Sequence, residues 1–218
     1  MTWLDSGRLE RRSVSIEPHI RPALEADAPH LARLIVDGLQ TRFQLLGMGF
    51  VTLLHRHMAD SPHAVCVTAE DAGRVVGYAC ALTSVRGFFR DFALRRAWLA
   101  VVLSAPRLFR PATLRVVWHS LQYPTVATPS DPPAELVSVV VVPEARGQGI
   151  ARRMVETIGG EMARRGIAAI TIKTESTNVA AKSLYTKMGC RAVRQEPFAG
   201  GVELTVYVWD LPEAERSS

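Results

Sequence analysis

The stretch VVVVPEARGQGIARRM, residues 139–154, sets two glycines among arginines directly after a run of valines and a proline. A helix N-terminus leaves its first backbone N–H groups unpaired, and the helix dipole adds partial positive charge there. Glycines just before such a helix let the chain turn tightly and let an anion reach the amides. Arg146-Gly147-Gln148-Gly149-Ile150-Ala151-Arg152 supplies that arrangement, so a phosphate or pyrophosphate is its natural occupant. The plainer alternative is that the two glycines serve only the turn. A P-loop is excluded, because Ile150-Ala151 follows the last glycine where Lys-Ser/Thr is needed. The dinucleotide fingerprint fits poorly as well. Arg152 stands where its third glycine belongs, and the loop follows the fourth strand instead of the first.

The elements that must position this loop can be read from hydrophobic spacing. The continuous valines of 135–142 predict a buried strand. Ile150, Met154, Ile158 and Met162 at helical spacing predict a helix over 149–165, stopped at Gly166. Further strands are expected at 19–23, 64–68, 74–82, 169–174, 191–195 and 202–210. Glu70-Asp71-Ala72-Gly73 is expected to turn between the second and third strands, and Gly200-Gly201 between the last two. Helices are expected from Asp27, read as an N-cap before Leu31, Leu34, Ile35 and Leu39, over 50–58, and over 179–188 up to Gly189. Residues 83–133 read as a helical insertion between the third and fourth strands, with one helical part before Pro106 and another over 111–121. The fold class is therefore α/β (α+β), a mixed sheet flanked by helices. Its extent is read as one domain, 16–212, with tails at 1–15 and 213–218.

Composition bounds the function. The 218 residues suit one domain, and an apolar content of 48% with 22% charged residues is that of a globular chain. The net charge of +5 favours anionic ligands without choosing among them. Three widely spaced cysteines, Cys66, Cys80 and Cys190, argue against a disulfide framework or a zinc site. Buried structural thiols are the expectation for Cys66 and Cys80, and no metal is expected. The N-terminus lacks the apolar core of a signal peptide and no run is long enough to span a bilayer, which reads as cytoplasmic.

Two segments carry a resemblance. Arg146-x-x-Gly149-x-Ala151, after a strand ending in Val-Pro, resembles the acetyl-CoA-binding motif of the GCN5-related N-acetyltransferase (GNAT) superfamily. Asn178-Val179-Ala180-Ala181-Lys182-Ser183-Leu184-Tyr185-Thr186-Lys187-Met188-Gly189-Cys190 resembles that family's following helix, with Cys190 replacing the usual phenylalanine. The similarity is strong over 135–211 and weak over 20–82; the insertion lies outside it.

The resemblance implies an N-acetyltransferase that joins acetyl-CoA and a primary amine of a small molecule or an exposed protein in a ternary complex. A non-catalytic acyl-CoA-binding or regulatory module on the same fold is the alternative. It implies that the amides of 147–152 hold the CoA pyrophosphate, with Arg146 and Arg152 adding charge. The pantetheine arm would run along Val139, Val140 and Val141, and Asn178 would bind its amide, although Asn178 also suits a helix N-cap. Tyr185 would be the general acid for the departing thiolate, and Glu135 a candidate base for the amine. The ribosomal-protein acetyltransferases place a glutamate where this chain has Lys173, which counts against their peptide substrates. Glu175, His119 and Asp131 are further candidates for substrate contact. The arginines of the insertion, Arg86, Arg90, Arg95, Arg96, Arg107, Arg110 and Arg115, are read first as a solvated lid or homodimer contact. An anionic acceptor or a peripheral membrane surface is a less favoured use of them, and nucleic acid the least.

Overall fold

A computed structural model describes residues 17–38, 47–108, 131–198 and 201–212. Its centre is a seven-stranded sheet with the order β1-β2-β3-β4-β5-β7-β6. The strands are β1 (His19–Pro22), β2 (Ala64–Asp71), β3 (Arg74–Leu82), β4 (Glu135–Val141), β5 (Ala169–Glu175), β6 (Arg191–Phe198) and β7 (Val202–Asp210). The helices are α1 (Ala28–Gly38), α2 (Met48–Asp60), α3 (Val85–Leu108), α4 (Ile150–Arg164) and α5 (Val179–Lys187). All neighbouring strands are antiparallel except β4 and β5, which run parallel. The expected mixed sheet with flanking helices is therefore present, and α3 occupies the insertion between β3 and β4.

Alternation along the strands gives the sheet two apolar faces. On one, Met154, Val155, Ile158 and Met162 of α4 and Tyr185 of α5 pack with Val65, Val67, Ala79, Leu136 and Ile170. On the other, α1, α2 and α3 cover Cys66, Tyr78, Cys80 and Leu82 with Leu31, Ile35, Leu54, Phe88 and Phe92. Each large apolar side chain buried here contributes about 1.5–3 kcal/mol. Cys66 and Cys80 face one another across β2 and β3 as free, buried thiols, as expected.

Several boundaries depart from the sequence reading. The β2–β3 hairpin closes more tightly, because Ala72 and Gly73 both take positive φ, 48° and 78°, the two-residue form that matches strand twist. Asp27 does not cap α1. It sits in a 3-10 turn, where its carboxylate accepts from the Leu24 amide at 2.8 Å and pairs with Arg21 at 2.7 Å. Helix α3 runs through Pro106 to Leu108 as one helix. Strand β6 extends to Phe198 and includes Pro197, which an edge strand tolerates. The second insertion helix expected at 111–121 lies outside the described residues. Among the described residues no helix is long and apolar enough to cross a membrane.

Two stability tests follow from the packing. Gly159 and Gly160 are consecutive in α4, yet a Cβ on Gly159 would strike the Trp209 ring while one on Gly160 meets nothing within 4 Å. Gly160→Ala should raise stability by about 0.5–1 kcal/mol through helix propensity. Gly159→Ala should instead lower it by about 1–3 kcal/mol through overpacking. Urea denaturation of the pair decides; equal shifts would sink the packing account. Separately, burial holds the imidazoles of His55 and His57 below the usual histidine range. The unfolded chain then binds protons that the folded chain refuses, so stability is full above the unfolded value of about 6.5 and falls as pH drops through it. The urea midpoint should decline between about pH 7.5 and pH 5; a flat profile across that window would refute this.

Candidate active site where the sheet opens

The β4–β5 ladder has only two residue pairs, Glu135↔Thr171 and Leu136↔Ile172. Beyond them β4 continues to Val141 and β5 to Glu175 with no pairing between the two. The sheet therefore opens in its middle. On its other side β4 stays paired with β3, but the register skips Val137: Ala81 faces Leu136 and Cys80 faces Ser138. This bulge turns Val137 towards the α1–α3 face beside Ser138, because a bulge breaks strict alternation. Ser138 Oγ is buried and has no hydrogen-bond partner among the described residues. Sequence alone gave no sign of either the bulge or this stranded hydroxyl, since a serine among valines looks like tolerated polarity.

At the end of β4 the chain turns through a short 3-10 segment, Pro143–Ala145, into the glycine loop. Arg146 Nε donates to the Val141 carbonyl at 3.0 Å and closes that turn. Gly147 and Gly149 take φ of 79° and 75°, which costs an L-residue roughly 1–2 kcal/mol. Gly149 is the N-cap of α4 and contributes no side-chain cap. The first intrahelical bond is from Arg153 N to Gly149 O at 3.1 Å. The amides of Ile150, Ala151 and Arg152 are thus left for an outside acceptor. A Cβ at either glycine would meet nothing within 4 Å, so open space lies in front of the turn. Gln148 is exposed between them, and the Arg152 guanidinium is engaged with Glu156 at 2.7 Å.

The remaining candidates divide between the faces. Val139 and Val141 pack against the α4 side, while Val140 is buried on the α1 side next to α1. Tyr185 is buried on the α4–α5 face, its ring 5.8 Å from that of Tyr207. Tyr207 pairs with Ile172, the last β5 residue joined to β4, so Tyr185 stands beside the opening. Burial, with Cys190 and Tyr207 adding, pushes its phenol well above the ordinary value, so it stays protonated at neutral pH. Cys190, whose amide donates to the Tyr185 carbonyl at 3.0 Å, has its thiol pushed up to about 11 by burial. Glu135 is buried at the start of β4 and lies opposite Leu82, which places it on the α1–α3 face. The acid and base candidates therefore sit on opposite sides of the opening.

Asn178 caps α5: its Oδ1 accepts from the Ala181 amide at 3.1 Å. Asp131 is held by Arg194 through bonds of 2.7 and 2.6 Å and so serves an ion pair in the frame. Lys173 lies 3.4 Å from Glu196 of β6, so the position is charge-balanced across strands. Glu175 is exposed at the end of β5, and His119 lies outside the described residues. Among the described residues no group of three or more His, Cys, Asp or Glu side chains could hold a metal ion.

A family model described as the acetyltransferase (GNAT) family matches residues 38–190, more than half of the chain. The chain belongs to that family. No curated protein sequence matches it. Among solved structures it is similar to the ribosomal-protein-S18-alanine N-acetyltransferase from Escherichia coli, with 13% identity over 92% of this chain and 97% of that one and a TM-score of 0.58. The yncA protein from Salmonella typhimurium, solved with its cofactor acetyl-CoA, has 19% identity over 92% and 97% and a TM-score of 0.56. An N-acetyltransferase from Staphylococcus aureus has 18% identity over 89% and 98% and a TM-score of 0.55. These likenesses establish the shared fold.

Ser138→Ala offers a direct test of the stranded hydroxyl. Removing a buried group that has no partner relieves a desolvation cost of about 1–3 kcal/mol. The variant should match or exceed the parent in thermal midpoint; a clear loss of stability would show that the hydroxyl is satisfied in the folded chain.

Proposed function

We propose that this chain transfers an acetyl group from acetyl-CoA to a primary amine, of a small molecule or an exposed protein site, by direct attack in a ternary complex. One observation carries the reading: β4 parts from β5 after Leu136, runs on to Val141 and then turns into a helix N-terminus that has no side-chain cap. An extended arm bearing amides can complete the β4 edge, while its pyrophosphate rests on the free amides of 150–152. Acetyl-CoA has both parts, and the acetyl-CoA bound to the similar yncA protein supports the choice.

The chemistry then follows the two faces. The thioester reaches the bulge at Val137, where backbone N–H groups freed from the ladder can stabilise the oxyanion. The amine comes from the α1–α3 face, where Glu135 takes its proton directly or through a water. The nitrogen bonds to the acetyl carbon, a tetrahedral intermediate collapses, and the carbon–sulfur bond breaks. Tyr185, on the other face and protonated at neutral pH, gives its proton to the thiolate. The acceptor amine ends as an amide and CoA leaves as a thiol. Asn178 retains a second use in this scheme, since its amide nitrogen remains available to the arm while its oxygen caps α5.

Calorimetric titration with acetyl-CoA, with NADH as control, is the first test. Acetyl-CoA should bind and NADH should not; failure of acetyl-CoA to bind would end the reading. Tyr185→Phe should then lower turnover roughly a hundredfold, as expected for loss of a general acid, with acetyl-CoA affinity nearly intact. Undiminished turnover would remove Tyr185 from the mechanism. Detectable binding with no transfer to any amine in either protein would favour the non-catalytic module.

A further inference from the structure

A cleft of about 350 Å³ lies between α1 and the end of β4. Its charged lining is unbalanced: Arg33, Arg74 and Arg146 share it with one carboxylate, Glu144, and the His30 ring lies among them. Arg33 and Arg74 are exposed, and their side chains make no hydrogen bond or ion pair among the described residues. Some exposed arginines elsewhere in the fold do find carboxylates: Arg152 has Glu156, Arg165 has Glu161 and Arg191 has Asp210. Several guanidinium groups lining one pocket with a single carboxylate to offset them are an anion site by charge and geometry.

The position of the cleft says which anion. No residue of α4 lines it, so it lies apart from the free amides of 150–152 that suit the pyrophosphate. Val140, at its floor, faces the same side of β4 as Ser138 and Glu135, the side assigned above to the amine. Ser138 and Val140 are two positions apart along β4, a spacing of roughly 7 Å. An acceptor whose amine lies at the bulge would therefore place a group about 7 Å further along in reach of Arg33 and Arg74.

From this placement we infer that the cleft holds a phosphate group of the acceptor, so that the preferred substrates are phosphate-bearing amines. The inference rests on the acetyltransferase reading for the amine, but not for the phosphate site itself. A phosphate monoester is dianionic at neutral pH and suits several guanidiniums better than one carboxylate does. The same chemistry could come from the 3′-phosphate of CoA, and the test separates the two sources.

The full chain saturated with acetyl-CoA would be titrated calorimetrically with inorganic phosphate and, separately, with acetate. Phosphate should bind and acetate should bind more weakly. The double variant Arg33→Ser, Arg74→Ser should lose at least about tenfold in phosphate affinity, while its affinity for acetyl-CoA and its thermal midpoint stay near those of the parent. In turnover assays 3-aminopropyl phosphate should outcompete propylamine, and the double variant should erase that preference through KM. The inference is overturned by absent phosphate binding, by binding that ignores the substitutions, or by equal binding of acetate. It is also overturned if acetyl-CoA saturation abolishes phosphate binding and the variant weakens acetyl-CoA but not its 3′-dephospho form, since the cleft would then serve the cofactor. Should acetyl-CoA itself fail to bind, the proposed function falls, yet phosphate affinity of the free chain that depends on Arg33 and Arg74 would still establish the site.

Discussion

The reversal from strand to helix between Val141 and Ile150 is the constraint on which the rest depends. It is accomplished with left-handed backbone at Gly147 and Gly149 and a guanidinium tie from Arg146 to the Val141 carbonyl. Any residue with a Cβ would strain both left-handed positions. Because the turn spends no side chain on capping, the first amides of α4 stay free. Because it is tight, α4 comes back directly across β2, β3 and β4. There Met154 presses against Gly77, where a Cβ would sit only 3.0 Å from the Met154 methyl. A buried methionine against a glycine-sized gap locks the helix axially, so the free amides are held at one height relative to the end of β4.

In the proposed reaction the sheet acts as a partition through which the two reactants meet. Helices α4 and α5 fill one face and α1, α2 and α3 the other, and the faces connect where β4 and β5 stop pairing. The bulge at Val137 sits on the strand edge of that connection and aims two consecutive side chains at the same face. The proposed proton donor and acceptor can then belong to different faces without competing for the same space. This separation also keeps the Tyr185 phenol in an apolar setting while Glu135 stands at a strand end.

Much of this was legible in the sequence, for identifiable reasons. The glycine loop was readable because glycine at two alternate positions before an apolar helical repeat has few uses. The helices α4 and α5 were readable because Ile150, Met154, Ile158 and Met162 keep one period and because Gly166 and Gly189 end the elements with positive φ, 78° and 81°. What escaped was three-dimensional register. Nothing in Glu135-Leu136-Val137-Ser138 announces that one residue bulges, since bulging is decided by the partner strand. The role of Asp27 changed because Arg21, from a different element, competes for its carboxylate. Asp131 passed as a substrate contact because its partner Arg194 is 63 residues away. Arg33 and Arg74 carry no signal in the sequence, since two lone surface arginines 41 positions apart acquire meaning only when α1 and β3 bring them to one cleft.

An open sheet ordinarily has two borders, but this one has four. The outer pair is guarded in the usual manner: β1 is four residues long and ends in Pro22, and β6 carries Pro197 with Arg191, Arg194 and Glu196. Those features make poor templates for a stray strand. The inner pair, where β4 and β5 part company, has no such protection on the β4 side, which is valine after valine once Ser138 is passed. Among the described strands, the edges that face the crowd are thus disarmed and the one left adhesive is recessed within the sheet. Self-association and ligand capture draw on the same hydrogen-bonding groups, and the fold has settled the conflict by location.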